Sequence, residues 1–266
     1  MAQRTKIPFW RRQAPPKWYD IALLRPSALP KKERFETVAD AKAERIRSQA
    51  VLGSVSGGRI HAEYLHDCGT DGYRCGQPFC PVCARRFRRW FTGELLRITE
   101  RTTSLQIFTV LLQAAPRDQI DKLDLDTHRA ALRKRIQRSG LGDAAVVGGF
   151  EVAYKARLRS WVLHANLLVI GGTEAGHEKF AETFAGSELD RPVVRSPVRD
   201  RPAQFSYLLK LSTYHRPYQQ NGEDRSKAVS LNTAQHLALV RWMAKREFQE
   251  FMFLFSARRR GTAICM

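Results

Sequence analysis

The chain has 266 residues and a mass of 30.4 kDa, enough for one large domain or two small ones with a buried core. Its 45 lysines and arginines outnumber 26 aspartates and glutamates, so the formal net charge is +19 and a polyanionic partner is expected. Because 43% of the residues are hydrophobic and 10% aromatic, a disordered basic tail is excluded, and nucleic acid is a better candidate than a membrane surface.

The lack of a targeting or membrane-spanning segment and the cysteine usage favour a cytoplasmic protein without a membrane partner. No apolar run approaches the roughly 18 residues of a membrane span, and the basic N-terminal segment lacks the apolar stretch of a secretory signal. Four of the five cysteines fall within residues 68–83. That clustering indicates a metal site more than a disulfide framework.

The first 60 residues are predicted to form a basic arm followed by a surface helix. Five prolines interrupt residues 1–30, which favours an extended conformation. Residues 31–50 are rich in helix formers and contain neither glycine nor proline, which predicts a helix. The sequence GSVSGG that follows predicts a flexible joint.

Residues 61–101 are predicted to form a zinc-binding segment that leads into a basic helix. The cysteines follow the pattern Cys68-x6-Cys75-x4-Cys80-x2-Cys83. Four thiolates can surround a tetrahedral zinc ion and leave no open position, so the zinc would be structural. His61 and His66 are alternative ligands, and reduced buried cysteines without a metal are the other interpretation. Cys265 stands apart from the cluster.

The helix predicted over residues 84–101 carries a dense run of arginines next to the cysteines. Its apolar residues recur at helical spacing, and four arginines fall within about one and a half turns. We predict that these side chains contact nucleic-acid phosphates, the alternative being a solvated charged face. They are Arg85, Arg86, Arg88 and Arg89.

Residues 102–256 are predicted to form an α+β domain. Residues 106–112 read as a buried strand and residues 126–139 as a basic helix capped by Asp126. This helix carries Arg133, Lys134 and Arg135, which we predict to contact DNA. Strands are predicted over residues 144–154 and 160–170, joined as a hairpin by residues 155–159.

The remaining predicted elements alternate between helices and polar loops. Helices are predicted over residues 173–184, 202–214 and 232–255, and residues 188–201 are rich in proline and arginine, which predicts a loop or an edge strand. Residues 257–266 are predicted to form a frayed, flexible tail.

The predicted hairpin brings polar side chains to one face of a sheet. A turn centred between residues 157 and 158 pairs Glu151 with His164 and Gly149 with Asn166, and both pairs lie on the same face. A carboxylate, an imidazole and an amide suit a hard divalent ion such as Mg²⁺ or Mn²⁺. A turn longer or shorter by one residue would instead move Glu151 to the other face.

An ordered set of motifs resembles the HUH endonucleases, in particular the rolling-circle replication initiators of bacterial plasmids and phages. Their metal motif is histidine, hydrophobic residue, histidine on a strand, and it is similar to the stretch GFEVAYKARLRSWVLHANLLVI. The first histidine matches His164, whereas Asn166 stands at the second position, where some eukaryotic viral relatives carry glutamine. Upstream, IFTVLL resembles the family's threonine-containing strand, and the CPVC segment resembles a cysteine-rich segment of several plasmid initiators. Downstream, Tyr207-Leu208-Leu209-Lys210 resembles the Y-x-x-K nucleophile motif.

The resemblance implies a ferredoxin-like fold, with an antiparallel sheet flanked by helices, and a DNA-nicking activity. Tyr207 would attack a backbone phosphodiester and form a 5′-phosphotyrosine. Lys210 and Tyr214, three and seven residues further along, are predicted to share its helical face. Lys210 would hold the phosphate, and Tyr214 would be a second nucleophile. Glu151, His164 and Asn166 would bind Mg²⁺ or Mn²⁺. The implied substrate is single-stranded origin DNA, and the implied partners are a host helicase and polymerase. The alternatives are a catalytically inactive DNA-binding regulator of the same fold and a zinc-containing RNA-binding protein.

Overall fold

A five-stranded antiparallel sheet forms the centre of the computed structural model, which describes residues 37–68, 73–156, 158–187, 189–211, 214–215 and 229–266. The sheet strands are β1 (Leu105–Pro116), β2 (Ala145–Lys155), β3 (Ser160–Ile170), β4 (Val193–Pro197) and β7 (Met252–Phe255), in the order β4-β1-β3-β2-β7. Two further pairs are β5 (Tyr214–His215) with β6 (Val229–Ser230), and β8 (Arg258–Arg260) with β9 (Ala263–Cys265). The predicted N-terminal arm lies outside the described residues.

Helices surround the sheet, so the predicted α+β class is confirmed. They are α1 (Val38–Gly53), α2 (Arg59–Asp67), α3 (Pro81–Ile98), α4 (Leu125–Arg138), α5 (Glu174–Glu182), α6 (Arg201–Tyr207) and α7 (Thr233–Ala244), with short 3-10 helices at Ile120–Lys122 and Phe248–Phe251. None of the helices in the described ranges is both long enough and apolar enough to cross a membrane.

The predicted β2–β3 register is confirmed. Glu151 lies opposite His164, and Gly149 lies opposite Asn166, as a turn centred between residues 157 and 158 requires. On its other side, β3 pairs with β1, where a bulge near Leu112 interrupts the ladder. Because directly opposed residues share a face, this double pairing assembles polar side chains from three strands on one side of the sheet.

The two faces of the sheet are covered differently. On one face Phe108 contacts Phe180 of α5, and the guanidinium of Arg129 on α4 lies over the ring of Phe150. Phe108 and Phe150 alternate with the residues of the polar face, so α4 and α5 cover the opposite side. The polar face is covered in part by α6, which packs against α3.

The N-terminal region has one more helix than predicted. The helix expected over residues 31–50 begins at Val38, where Thr37 forms a capping box with Asp40. A short turn leads into α2, which occupies residues that had no predicted element. The predicted basic helix after the cysteines is confirmed as α3, beginning at Pro81.

Capping interactions correct one detail of the predicted α4 helix. The side chain of Asp124, and not that of Asp126, accepts hydrogen bonds from the first turn. Gly140 follows the helix with φ +79°, the left-handed conformation that glycine adopts at helix ends.

The helix predicted over residues 202–214 is too long. α6 ends at Tyr207, and Leu211 has φ +44°, so the chain has left the helical path before Tyr214, which lies in β5. The prediction that Tyr214 shares a helical face with Tyr207 is therefore wrong.

The C-terminal predictions also need correction. The helix expected over residues 232–255 ends at Ala244, and its last residues form β7, which pairs with β2 as the fifth strand. The tail expected to fray forms the β8–β9 hairpin against α3. There, Trp90 Nε1 donates to Thr262 O at 2.9 Å, and Ile264 N donates to Glu94 Oε2 at 2.8 Å.

Candidate active site

A cavity of about 480 Å³ lies between the polar face of the sheet and α6. It combines side chains from five different segments of the chain. Its lining includes all of the sequence-predicted cation ligands and two of the predicted catalytic residues: Glu151, His164, Asn166, Tyr207 and Lys210. These residues are thus brought together, although they are distributed over 60 positions of sequence.

Glu151 and His164 are in direct contact across the β2–β3 pair. His164 Nε2 lies 3.2 Å from Glu151 Oε2, and both side chains are largely buried. The second ring nitrogen of His164, Nδ1, is buried and has no hydrogen-bond partner among the described residues. This second ring nitrogen can therefore bind a further group.

Asn166 is fixed by the neighbouring strand. Thr109 of β1 lies opposite Asn166, and its hydroxyl donates a hydrogen bond of 2.9 Å to Asn166 Oδ1. The amide oxygen has two lone pairs, so this bond leaves one available.

Glu151, His164 and Asn166 have the donor chemistry that could hold a hard divalent cation. Two ligands in adjacent positions of an octahedral Mg²⁺ site lie about 3 Å apart, which is close to the separation of His164 Nε2 and Glu151 Oε2. Carboxylate and amide oxygens are preferred by Mg²⁺ and Mn²⁺, and imidazole is tolerated by Mn²⁺.

Tyr207 stands at the C-terminal end of α6 and reaches the same cavity. The residue is 42% exposed, so a large substrate can reach it from solvent. Lys210 lies beyond the end of the helix, not on the helical face predicted for it. Its ammonium nitrogen nevertheless lies 5.7 Å from the centroid of the Tyr207 ring.

Contacts at both ends of α6 hold Tyr207 over the sheet. At the N-terminus, Asp200 caps the helix by accepting from Ala203 N, and Arg201 donates to the carbonyls of Thr99 and Thr102. At the C-terminus, the chain passes so close to Gly149 that a Cβ there would lie 2.6 Å from Leu208 O. Only glycine allows this approach of α6 to β2.

Tyr214, the predicted second nucleophile, belongs to β5, but its side chain lies outside the described part of the structure.

The four clustered cysteines form a second candidate site, and the structure confirms that they could hold a metal ion such as zinc. All four are buried, and their sulfur atoms lie within 4.8 Å of one another. Separations of 3.5 Å for Cys68–Cys83 and for Cys80–Cys68, and of 3.8 Å for Cys75–Cys83, match the roughly 3.8 Å between sulfurs in a tetrahedral zinc site. His61 and His66 are not part of this cluster, and neither is Cys265.

The cysteine cluster joins three segments of the chain. Cys68 ends α2, Cys75 lies in the following loop, and Cys80 and Cys83 bracket the start of α3. Burial raises the pKa values of the Cys75 and Cys80 thiols, whereas hydrogen bonds from the other three cysteines lower the pKa of Cys68. Metal binding by this cluster would therefore fix α2 against α3.

The predicted DNA-contacting arginines fall into different environments. Arg88 is only 3% exposed, so its predicted role as a phosphate contact is wrong; Arg85, Arg86 and Arg89 are half-buried on α3.

The basic residues of α4 lie on the side of the sheet opposite the cavity. Arg133 donates to Leu254 O at 2.9 Å, and the Arg135 guanidinium lies 4.3 Å from the centroid of the Phe184 ring. Lys134 is exposed on the same helix. These three residues are therefore remote from the surface that carries Tyr207.

Sequence reasoning missed several residues that line the cavity. Lys155, at the end of β2, adds an exposed ammonium group, and Ser196 and Gln204 add polar groups from β4 and α6. The β1–β3 register places Thr109 opposite Asn166 and therefore on the polar face. The sequence does not indicate this register, because the two strands are far apart along the chain.

No protein-family model matches this chain, and no match was found among curated proteins or solved structures.

Proposed function

We propose that this protein is a rolling-circle replication initiator that nicks and rejoins single-stranded origin DNA through a covalent Tyr207 intermediate. The observation that carries the proposal is the cavity itself, because its lining unites Glu151, His164 and Asn166 with Tyr207 and Lys210. The chain order β1-α4-β2-β3-α5-β4 also supports the ferredoxin-like arrangement of the HUH endonucleases.

In the proposed reaction, the Tyr207 oxygen attacks the scissile phosphorus. The bond between phosphorus and the 3′ oxygen breaks, the tyrosine hydroxyl loses its proton, and the departing 3′ oxygen gains one. The products are a 5′-phosphotyrosine and a free 3′-hydroxyl. Attack by a 3′-hydroxyl on this adduct reverses the step and restores both the phosphodiester and the tyrosine, so rejoining requires no nucleotide cofactor.

The other cavity residues would bind and orient the phosphate. Glu151, His164 and Asn166 would hold Mg²⁺ or Mn²⁺, which stabilises the charge that develops on the phosphate oxygens. Lys210 lies beside the Tyr207 ring, where its ammonium would bind a phosphate oxygen. Lys155 places a second ammonium at the cavity, suited to an adjacent phosphate of the same strand.

The cysteine cluster supports a structural role for zinc in this reaction. α3 begins at the cluster and packs against α6, which ends in Tyr207. We propose that zinc fixes the helix against which the tyrosine-bearing segment rests. The formal charge of +19 supports a nucleic-acid substrate. The proposed function further implies a host helicase and polymerase as partners and the cytoplasm as the location.

The test is covalent capture of the substrate. Purified zinc-loaded protein is incubated with Mn²⁺ and labelled single-stranded DNA from its own replicon, then separated under denaturing conditions and mapped by mass spectrometry. We expect label on Tyr207, loss of the adduct on addition of a chelator that spares the zinc, and no adduct with Tyr207→Phe. Tyr64→Phe, which alters a tyrosine outside the cavity, is the matched control and should retain the adduct.

The outcomes separate the alternatives. Label on Tyr214 would keep the chemistry but correct the nucleophile. Tight, salt-sensitive DNA binding without any adduct would contradict catalysis and favour a DNA-binding regulator of the same fold. Preference for RNA over DNA without an adduct would favour the zinc-containing RNA-binding protein.

A further inference from the structure

We propose that Thr109 is a positioning residue that makes the amide oxygen of Asn166 a cation ligand. The inference deepens the proposed function and rests on its cation site. It assigns a role to a residue on β1 whose hydroxyl is hydrogen-bonded to Asn166.

The side chains of Thr109 and Asn166 are joined across the β1–β3 pair. Thr109 and Asn166 are directly opposed on β1 and β3, and the threonine hydroxyl donates to Asn166 Oδ1 at 2.9 Å. An asparagine side chain otherwise rotates freely about its terminal torsion, presenting oxygen and nitrogen with similar ease. The hydrogen bond to Thr109 restricts that rotation and fixes the position of Oδ1.

The orientation of the Asn166 amide decides whether this residue can bind a hard cation. An amide nitrogen does not coordinate Mg²⁺ or Mn²⁺, so Asn166 contributes only when its oxygen faces the ion. Oδ1 retains one lone pair after accepting from Thr109. Groups that orient metal ligands in this way commonly change metal affinity by 10- to 100-fold when they are removed.

The neighbouring positions explain why this role falls to Thr109. On the β2 side, Asn166 faces Gly149, which has no side chain to hold the amide. The β1 side is therefore where a cross-strand side chain can fix Asn166. A threonine also suits the strand conformation, and its hydroxyl lies within hydrogen-bond distance of the opposed amide oxygen.

The experiment measures Mn²⁺ binding directly, independently of DNA cleavage. Free Mn²⁺ is followed by electron paramagnetic resonance during titration of the zinc-loaded full chain. Thr109→Val keeps the shape of the side chain and removes the hydroxyl; we expect its Mn²⁺ dissociation constant to rise about tenfold. Thr109→Ser restores a hydroxyl and should stay within about threefold of the wild type, while Glu151→Gln marks loss of the site.

A double-mutant cycle with Asn166→Ala separates positioning from a general structural effect. If Thr109 acts through Asn166, adding Thr109→Val to Asn166→Ala should cause no further loss of Mn²⁺ affinity. The same loss in both backgrounds would overturn the inference, as would Mn²⁺ binding by Thr109→Val at the wild-type level.

The test also distinguishes this inference from the proposed function. If the wild type binds Mn²⁺ and forms the Tyr207 adduct while Thr109→Val does both equally well, the inference fails and the function stands. If the wild type binds no Mn²⁺ at the Glu151-dependent site, the cation site and the role of Thr109 fail together.

Discussion

Replacing Gly149 by alanine should displace the segment that carries Tyr207 without removing any functional group. An added Cβ would lie 2.4 Å from Leu209 Cδ1 and 2.6 Å from Leu208 O. The leucine side chain can rotate, but the carbonyl is backbone, and ordinary contact begins at 3.4 Å. Leu208 must therefore retreat by about 0.8 Å, and Tyr207, the preceding residue, moves with it.

The expected effects are a modest loss of stability and a large loss of rate. Overpacking of this kind costs about 1 to 3 kcal/mol of unfolding free energy. A displacement of about 1 Å at a reacting group costs about 100-fold in rate. We expect Gly149→Ala to form the phosphotyrosine adduct about 100-fold more slowly in single-turnover assays, while its Mn²⁺ affinity remains close to that of the wild type.

Gly93→Ala is the matched control, because an added Cβ at that position of α3 would have no atom within 4 Å apart from the neighbouring residues and backbone of its own helix. It should leave the rate unchanged and raise the unfolding free energy by about 0.5 to 1 kcal/mol. A wild-type rate of adduct formation in Gly149→Ala would refute the reasoning. Equal losses of rate and of Mn²⁺ affinity would also refute it, because the effect would then lie in the cation site.

Four further predictions concern the zinc site, the C-terminal hairpin, the arginines and the pH dependence of stability. Elemental analysis should find one zinc per chain, and Cys80→Ser should lower both the zinc content and the melting temperature, since metal binding contributes folding energy; an unchanged melting temperature would contradict a structural metal. Ile264→Ala should lose about 2 to 4 kcal/mol in denaturant unfolding, because this side chain is fully buried in β9; a loss below about 1 kcal/mol would mean that the hairpin is not packed in solution. Arg88→Ala should destabilise the fold, whereas Arg85→Ala should mainly reduce, by about one, the slope of the logarithm of the DNA-binding constant against the logarithm of the salt concentration. A stable Arg88→Ala protein with a reduced slope, together with a destabilised Arg85→Ala protein, would contradict the burial of Arg88. Burial lowers the pKa of His128 from its usual value of 6.5, so the unfolded chain takes up a proton before the folded one and the free energy of unfolding falls as the pH drops below about 6.5. His128→Gln should remove this part of the pH dependence. Identical stability profiles of the two proteins between pH 7 and 5 would exclude a contribution of His128.

The sequence predicted the part of the candidate site that depends on local pairing. Glu151 and His164 belong to one hairpin, so the turn and the strand alternation determine which residues are opposed and which face they share. The CPVC spacing likewise predicts a shared metal within a few residues of chain. In both cases the relevant contacts lie close together along the chain, where spacing is informative.

Tertiary contacts determined the features that the sequence did not predict. Residues 245–255 contain neither glycine nor proline and continue the apolar character of α7, yet pairing with Val146–Gly149 converts Met252–Phe255 into a strand. The segment after Tyr207 also has helix-forming residues, but its close packing on Gly149 ends α6 there. The sequence does not indicate that Arg88 is buried, because the neighbouring positions of the helix carry arginines as well.

The β2–β3 hairpin also has a consequence for how the protein folds. Glu151 and His164 are 13 residues apart, so the entropy of closing the loop between them is small, and hairpins of this kind form in about 1 to 10 μs. By contrast, β1 joins β3 and β7 joins β2 through pairings of high contact order, which are slow to form. We therefore expect the carboxylate and the imidazole to meet early in folding, well before the tyrosine of α6 is brought over them.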